Sequence, residues 1–181
     1  ASGQNVWAAY VSAESHNNDE AEIFAACSAD GGATWSKSQI DSTTDGATYY
    51  TKPVISGSVD GSSVTVVWMP INSTAIYART WTRTSGCSGA WGSIVPVFNS
   101  PDFYLADHAV IYDNNGDILI TWMELYSALD INDNPIPYIN GIYYSVSTNN
   151  GVSFSGGAVP AATPTTEATT LLYRWPRMAL D

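Results

Sequence analysis

Ser28-Ala-Asp-Gly-Gly-Ala-Thr-Trp35, SADGGATW in one-letter code, separates two short runs, EIFAACS (22–28) and WSKSQI (35–40). Each residue type in it has a use in a tight turn. A carboxylate at Asp30 accepts backbone N–H groups inside the loop, and Gly32 permits a positive φ. Thr34 adds a hydroxyl hydrogen bond, and Trp35 is expected to anchor the turn in a core. A stretch of equal length, Ser147 to Phe154, places Asn149, Gly151, Ser153 and Phe154 at the same positions behind Ser147. Between Trp81 and Trp91 the matching interval carries extra residues, including Cys87, and no acid replaces Asp30.

The flanking runs repeat as well. VWAAYVS (6–12), VTVVWMP (64–70) and ILITWME (118–124) are alike, and each precedes a loop and a second run: EIFAACS, AIYARTW (75–81) and GIYYSVS (141–147). A turn and a fourth run follow: WSKSQI, WGSIVPV (91–97) and FSGGAVP (154–160). Leading runs, YTKPVISG (50–57), LADHAVIY (105–112) and YRWPRMAL (173–180), stand before an aromatic run. Helical periodicity is almost absent, while β-branched and aromatic residues bounded by Gly, Asn and Asp recur. Four-strand units at a period of roughly 55–60 residues describe propeller blades.

The pattern S-x-D-x-G-x-T-W resembles the Asp-box, or BNR repeat, of the sialidase superfamily, and the resemblance covers nearly the whole chain. It is closest to non-catalytic BNR-repeat proteins, whose leading strands open on a P-R-[IM]-A-x-D pattern like Pro176 to Asp181. The resemblance implies an all-β fold of sialidase-like β-propeller blades. It also implies a structural role for Ser28, Asp30, Gly32, Thr34, Trp35, Ser147, Asn149, Gly151, Ser153 and Phe154, on the blade periphery. Tyr173-Arg174-Trp175-Pro176 is similar to the Y/F-R-I-P motif that carries the first carboxylate-gripping arginine of sialidases, with Trp175 in place of isoleucine. The rest of a sialidase set does not follow. Arg79 and Arg83 fall on the third strand and altered turn of the middle unit and are expected to point outward or to the peripheral face.

Counted this way, the chain holds three four-stranded blades, one split between the termini: 1–41 with 171–181, then 49–99, then 103–160, with a Thr- and Pro-rich linker at 161–170. Pro53 to Trp68 matches, in length, Pro176 through the two chain ends to Tyr10. Blades close into rings to cover their edges. The expectation is a six-bladed ring of two chains, in which the 171–181 strand of one copy completes the sheet begun by the 6–11 strand of the other. The alternatives are the other half of a longer propeller and a strand-exchanged filament or surface assembly.

Composition limits the function. Only 13% of residues are charged, 45% are apolar, and the net charge of −11 repels nucleic acid and anionic membranes. No apolar run is long enough to span a bilayer as a helix. The sparse lysines and Ser/Thr/Asn-rich surface point to a secreted, extracellular or cell-surface protein, with Asn72-Ser73-Thr74 as a glycosylation acceptor if the source is eukaryotic. Cys27 and Cys87 permit one disulfide between neighbouring blades; bonded and free forms both stay open.

Loops entering the leading strands and joining second to third strands are expected to bind ligand, a glycan or another surface partner. They carry Tyr50, Lys52, Asp107, His108, Glu124, Tyr173, Arg174 and Trp175. Glu124 with Tyr126 or Tyr138 would imitate the Tyr/Glu pair of a sialidase, and a glycoside hydrolase with part of its site elsewhere is the enzymatic alternative to a non-catalytic module. No cofactor is expected. Asp130, Asn132 and Asp133 alternate like ligands of a loose calcium loop, without the Gly and distal Glu of an EF-hand. His16 and His108 lack partners at zinc-ligand spacing.

Overall fold

The computed structural model describes residues 5–13, 21–42, 50, 52–70, 74–100, 104–129 and 135–158. They form three antiparallel sheets and, among the described residues, no helix. The first sheet is β1 (Val6–Ala13), β2 (Ala21–Ser28) and β3 (Ser36–Ser42) in that order. The second is β4 (Val54–Gly57), β5 (Ser63–Trp68), β6 (Ala75–Ser85) and β7 (Ser88–Trp91), with β8 (Val95–Asn99) also pairing with β6. The third runs β9 (Tyr104–Tyr112), β10 (Ile118–Leu129), β11 (Pro135–Ser147) and β12 (Ser155–Ala158). The run 173–180, the linker and the expected joint at 171–181 lie outside the described residues.

The sheets stack face to face, which explains why strand sequences lack polar alternation. Every residue of β5 is buried. Val66 and Trp68 pack toward the first sheet with Ile23, Ala25 and Ile40, while Val67 packs toward the third with Ile118, Ile120 and Trp122. Burying both faces of one strand requires apolar or small residues at successive positions, as Val64-Thr65-Val66-Val67-Trp68 supplies. The buried Thr65 hydroxyl is satisfied: Thr65 Oγ1 bonds Thr80 Oγ1 at 2.8 Å and the Tyr112 hydroxyl at 2.7 Å, tying the second sheet to the third. Burial pushes the Tyr112 phenol up to about 12, so it stays protonated in this network.

The tight turns β2–β3, β4–β5, β6–β7, β9–β10 and β11–β12 lie at one end of the stack, termed here the hairpin end. The opposite ends of the same strands are termed the loop end. At the hairpin end, the Ser28 hydroxyl donates to Asp30 at 2.7 Å and accepts the Gly32 N–H at 2.7 Å. Asp30 also accepts the Thr34 N–H at 2.9 Å and the Thr34 hydroxyl. These donors hold its carboxyl well below the usual carboxylate range. The β11–β12 turn repeats the pattern with one reversal. Asn149 accepts from Ser147 and from the Ser153 N–H, but its amide donates to the Ser153 hydroxyl at 2.8 Å. Trp35 departs from expectation. It is 47% exposed, and its indole N–H folds back onto the Gly32 carbonyl at 3.0 Å. Phe154 does pack against the core between the second and third sheets.

The extra residues of the middle unit form no loose loop. They lengthen β6 into a hairpin with β7, and Cys87 at its tip bonds Cys27 at the end of β2. Behind this clamp Trp7 packs edge-on against Trp81 and Trp91. The fourth strand is broken in consequence: β7 pairs high on β6, and β8 pairs lower down. Arg79, expected to point outward, lies between sheets instead, donating to the Gly92 and Ile40 carbonyls at 2.8 Å each.

Candidate functional site

At the loop end the sequence-expected residues separate into two groups. Tyr50 is buried, and its hydroxyl donates to Asp41 at 2.8 Å. The Trp68 indole N–H reaches the same Asp41 oxygen at 3.1 Å. This cluster ties the first sheet to the second, so Tyr50 has a structural partner that the sequence reading missed. Lys52 is exposed. Tyr173, Arg174 and Trp175 lie outside the described residues, as do Asp130, Asn132 and Asp133. Among the described residues no group of three His, Cys, Asp or Glu side chains is placed to hold a metal ion.

The second group surrounds β9 and β10. Asp107 has a φ of 40°, which side chains rarely adopt, and sits in a bulge: Ala109 pairs with Thr121 and Ala106 with Met123, leaving Asp107 and His108 opposite Trp122. The extra residue resets the side-chain alternation. Leu105, Val110 and Tyr112 all join the core facing the second sheet, although 105 differs in parity from 110 and 112. His108 turns the same way, its Nε2 lying 3.1 Å from the Val67 carbonyl. Loss of solvent pushes its imidazole down to about 4, against weaker upward effects of the Val67 carbonyl and the Asp107 charge. A neutral ring donating from Nε2 fits that contact.

Glu124 is 3% exposed, on the β10 face it shares with Ile118, Ile120 and Trp122. Its partner is Tyr143 on β11, one register step away opposite Trp122. Desolvation chiefly, and the charge and hydrogen bond of Glu124 after it, push the Tyr143 phenol up, so the hydroxyl serves as a donor to the carboxylate. Tyr143 stacks on Trp122 at 6.2 Å, and Phe98 lies on Trp122 at 5.0 Å. The indole N–H of Trp122 is buried and has no acceptor among the described residues. The strands expected to loop out beyond Glu124 instead continue as a hairpin, β10 to Leu129 and β11 from Pro135, with a second bulge between Glu124 and Leu125. That bulge, with Gly141 opposite Glu124, leaves room for the Tyr143 ring: a Cβ on Gly141 would lie 3.2 Å from it. Chemically the arrangement offers a partly exposed acid on a bulged strand and a buried glutamate paired with a partly buried tyrosine beside an indole.

No protein-family model matches the sequence, and no curated protein matches it. Among solved structures, the chain is similar to an α-L-arabinanase of Penicillium chrysogenum complexed with arabinobiose. The TM-score is 0.57 and the identity 16%, over 88% of this chain and 46% of that one. A GH93 α-L-arabinofuranosidase of Fusarium graminearum with arabinobiose gives 0.57 and 14%, over 86% and 45%. A sialidase of Trypanosoma rangeli aligns at 0.46 and 10%, over 84% and 35%. At these identities the likeness is one of fold, that of a β-propeller. The chain spans less than half the length of each of these neighbours.

Proposed function

We propose that the chain is half of an extracellular, sialidase-like propeller that binds a glycan at the loop end without hydrolysing it. The observation that carries this reading is the Asp107 bulge. It holds a partly exposed carboxylate in a strained conformation on a strand whose Leu105, Val110 and Tyr112 side chains are fixed in the core, the arrangement expected where backbone strain serves a site. The two arabinobiose-bound neighbours share the fold, which makes arabinobiose a sensible first probe. A secreted location is supported by the Cys27–Cys87 disulfide, since such bonds persist in oxidising surroundings. Calorimetric titration with arabinobiose and a glycan array test the reading. Binding should weaken about tenfold or more in Asp107→Ala, the loss of a charge-assisted hydrogen bond. Binding unaffected by that substitution would overturn it.

The pair of buried Glu124 and partly buried Tyr143 favours a second reading, a glycoside hydrolase whose remaining groups lie on the other half. Release of arabinose from arabino-oligosaccharides, or of sialic acid from a fluorogenic sialoside, lost in both Glu124→Gln and Tyr143→Phe, would select it.

The partner we propose is a second copy, or the other half of a longer propeller, engaging the 6–11 strand and the 171–181 strand. Val6 and Tyr10 on the outer face of β1 are 41% and 39% exposed, whereas alternate residues Trp7, Ala9 and Val11 pack on the core. A solution mass of twice 19.4 kDa supports the two-copy form, and a folded monomer at micromolar concentration excludes it.

A further inference from the structure

We infer that a cleft at the hairpin end, between the second and third sheets, is a separate binding site for a neutral, hydroxyl-rich ligand, a segment of oligosaccharide. It lies at the opposite end of the strands from Asp107 and Glu124 and does not depend on the reading given to them. The cleft is open to solvent, has a volume of about 650 Å³ and is bordered by the β4–β5 tip, the β9–β10 tip, the β11–β12 turn and the extended end of β6. Its size falls within the range of small-molecule sites, about 300–1,000 Å³. Tyr112 forms part of the lining, and its hydroxyl is already committed to Thr65.

Its chemistry narrows the ligand. Asp60 and Asp113 are held by their own turns. Asp60 accepts the Ser58 hydroxyl and the Ser62 N–H at 2.7 and 2.9 Å, and Asp113 accepts the Asn115 and Asp117 N–H groups at 2.8 Å each. Asp117 adds a third carboxylate, so a free anion is repelled. Arg83 also lines the cleft, exposed at the end of β6, and its guanidinium has no hydrogen-bond partner among the described residues. That permanent positive charge opposes a bare metal ion, for which no three-ligand group is available among the described residues. A hydroxyl donates to a carboxylate and accepts from a guanidinium, so neighbouring sugar hydroxyls match Asp117 and Arg83 together. Val59, exposed on the rim, offers an apolar surface to the C–H face of a ring.

The test is an amide-resolved NMR titration of the chain with maltotriose and, separately, with arabinobiose. At least one should move the Gly61, Gly116 and Asn150 amides saturably. Arg83→Gln and Asp117→Asn should each weaken that binding about tenfold or more, while Asp107→Asn leaves it unchanged. No saturable shift at those amides with either sugar overturns the inference, as does loss of the shifts in Asp107→Asn. A lysine-rich peptide that shifts them in low salt and not in high salt, where neither sugar does, would reassign the cleft to a cationic partner and equally overturn it.

Discussion

At the residue scale the two homologous turns behave differently because one is packed and the other stands free. Gly151 has a φ of 79°, is buried, and a Cβ there would lie 2.1 Å from Thr80 Oγ1. Gly32 has a φ of 101°, but its nearest neighbour would be the Trp35 ring at 3.8 Å. Gly32→Ala therefore meets backbone strain alone, about 1–2 kcal/mol. Gly151→Ala adds overpacking against the second sheet and should cost about 2–4 kcal/mol. Urea unfolding of the two variants measures the difference, and equal losses would show that the third turn is not seated on Thr80. The same pair explains a tolerance. Asn149 keeps the acceptor contacts of Asp30 while reversing the hydroxyl contact, so Asp30→Asn should lose less stability than Asp30→Ala in urea unfolding.

At the scale of elements, the middle unit has exchanged a side-chain-bonded turn for a covalent clamp. The Cys27–Cys87 bond closes a loop of 60 residues between the first and second sheets. On a chain-entropy basis such a loop contributes up to about 4 kcal/mol, so Cys87→Ser should lower stability by about 2–4 kcal/mol and separate the first sheet before the other two. Hydrogen exchange read at β1–β3 and at β9–β12 distinguishes that local opening from a uniform loss. Most strands were legible from sequence, because two-faced burial leaves apolar runs that stand out against Gly- and Asn-rich turns. What escaped were features that change register rather than composition. Nothing in LADHAVIY marks Asp107 as the extra residue, since a bulge is set by pairing across β10. Tyr143, whose hydroxyl meets Glu124, is not singled out by the sequence, and the side chains of Tyr126 and Tyr138 lie outside the described residues. The register that puts Tyr143 opposite Trp122 follows from aligning ILITWME antiparallel to GIYYSVS. The inward turn of Arg79 depended on the neighbouring sheet, which a single strand does not reveal.

At the scale of the whole molecule, interfaces between sheets carry both the apolar core and a few buried polar ties, and the ties give stability its pH dependence. His108 links β9 to the Val67 carbonyl of β5, and its folded value near 4 lies below the ordinary value of 6.5. The folded state therefore favours the neutral ring. Above about pH 6.5 neither state binds the proton and the contact is fully present. As pH falls from there toward 4, the unfolded chain takes up a proton that the folded chain refuses, and stability is lost. The full difference corresponds to at most about 3 kcal/mol, reduced by the partial exposure of the ring. The turn carboxylates act in a lower window. Asp60, near 2, and Asp30 and Asp113, also lowered, stabilise the fold above the ordinary carboxylate value of 3.8 and lose that contribution only as pH falls below it. Urea midpoints should thus drop between pH 7 and pH 5 before carboxylate protonation begins. His108→Gln, which keeps a donor at that position and cannot titrate, should remove most of the drop between pH 7 and 5 while leaving the steeper loss below pH 4. A variant that retained the full drop above pH 5 would place its origin in groups other than the contact between β9 and β5.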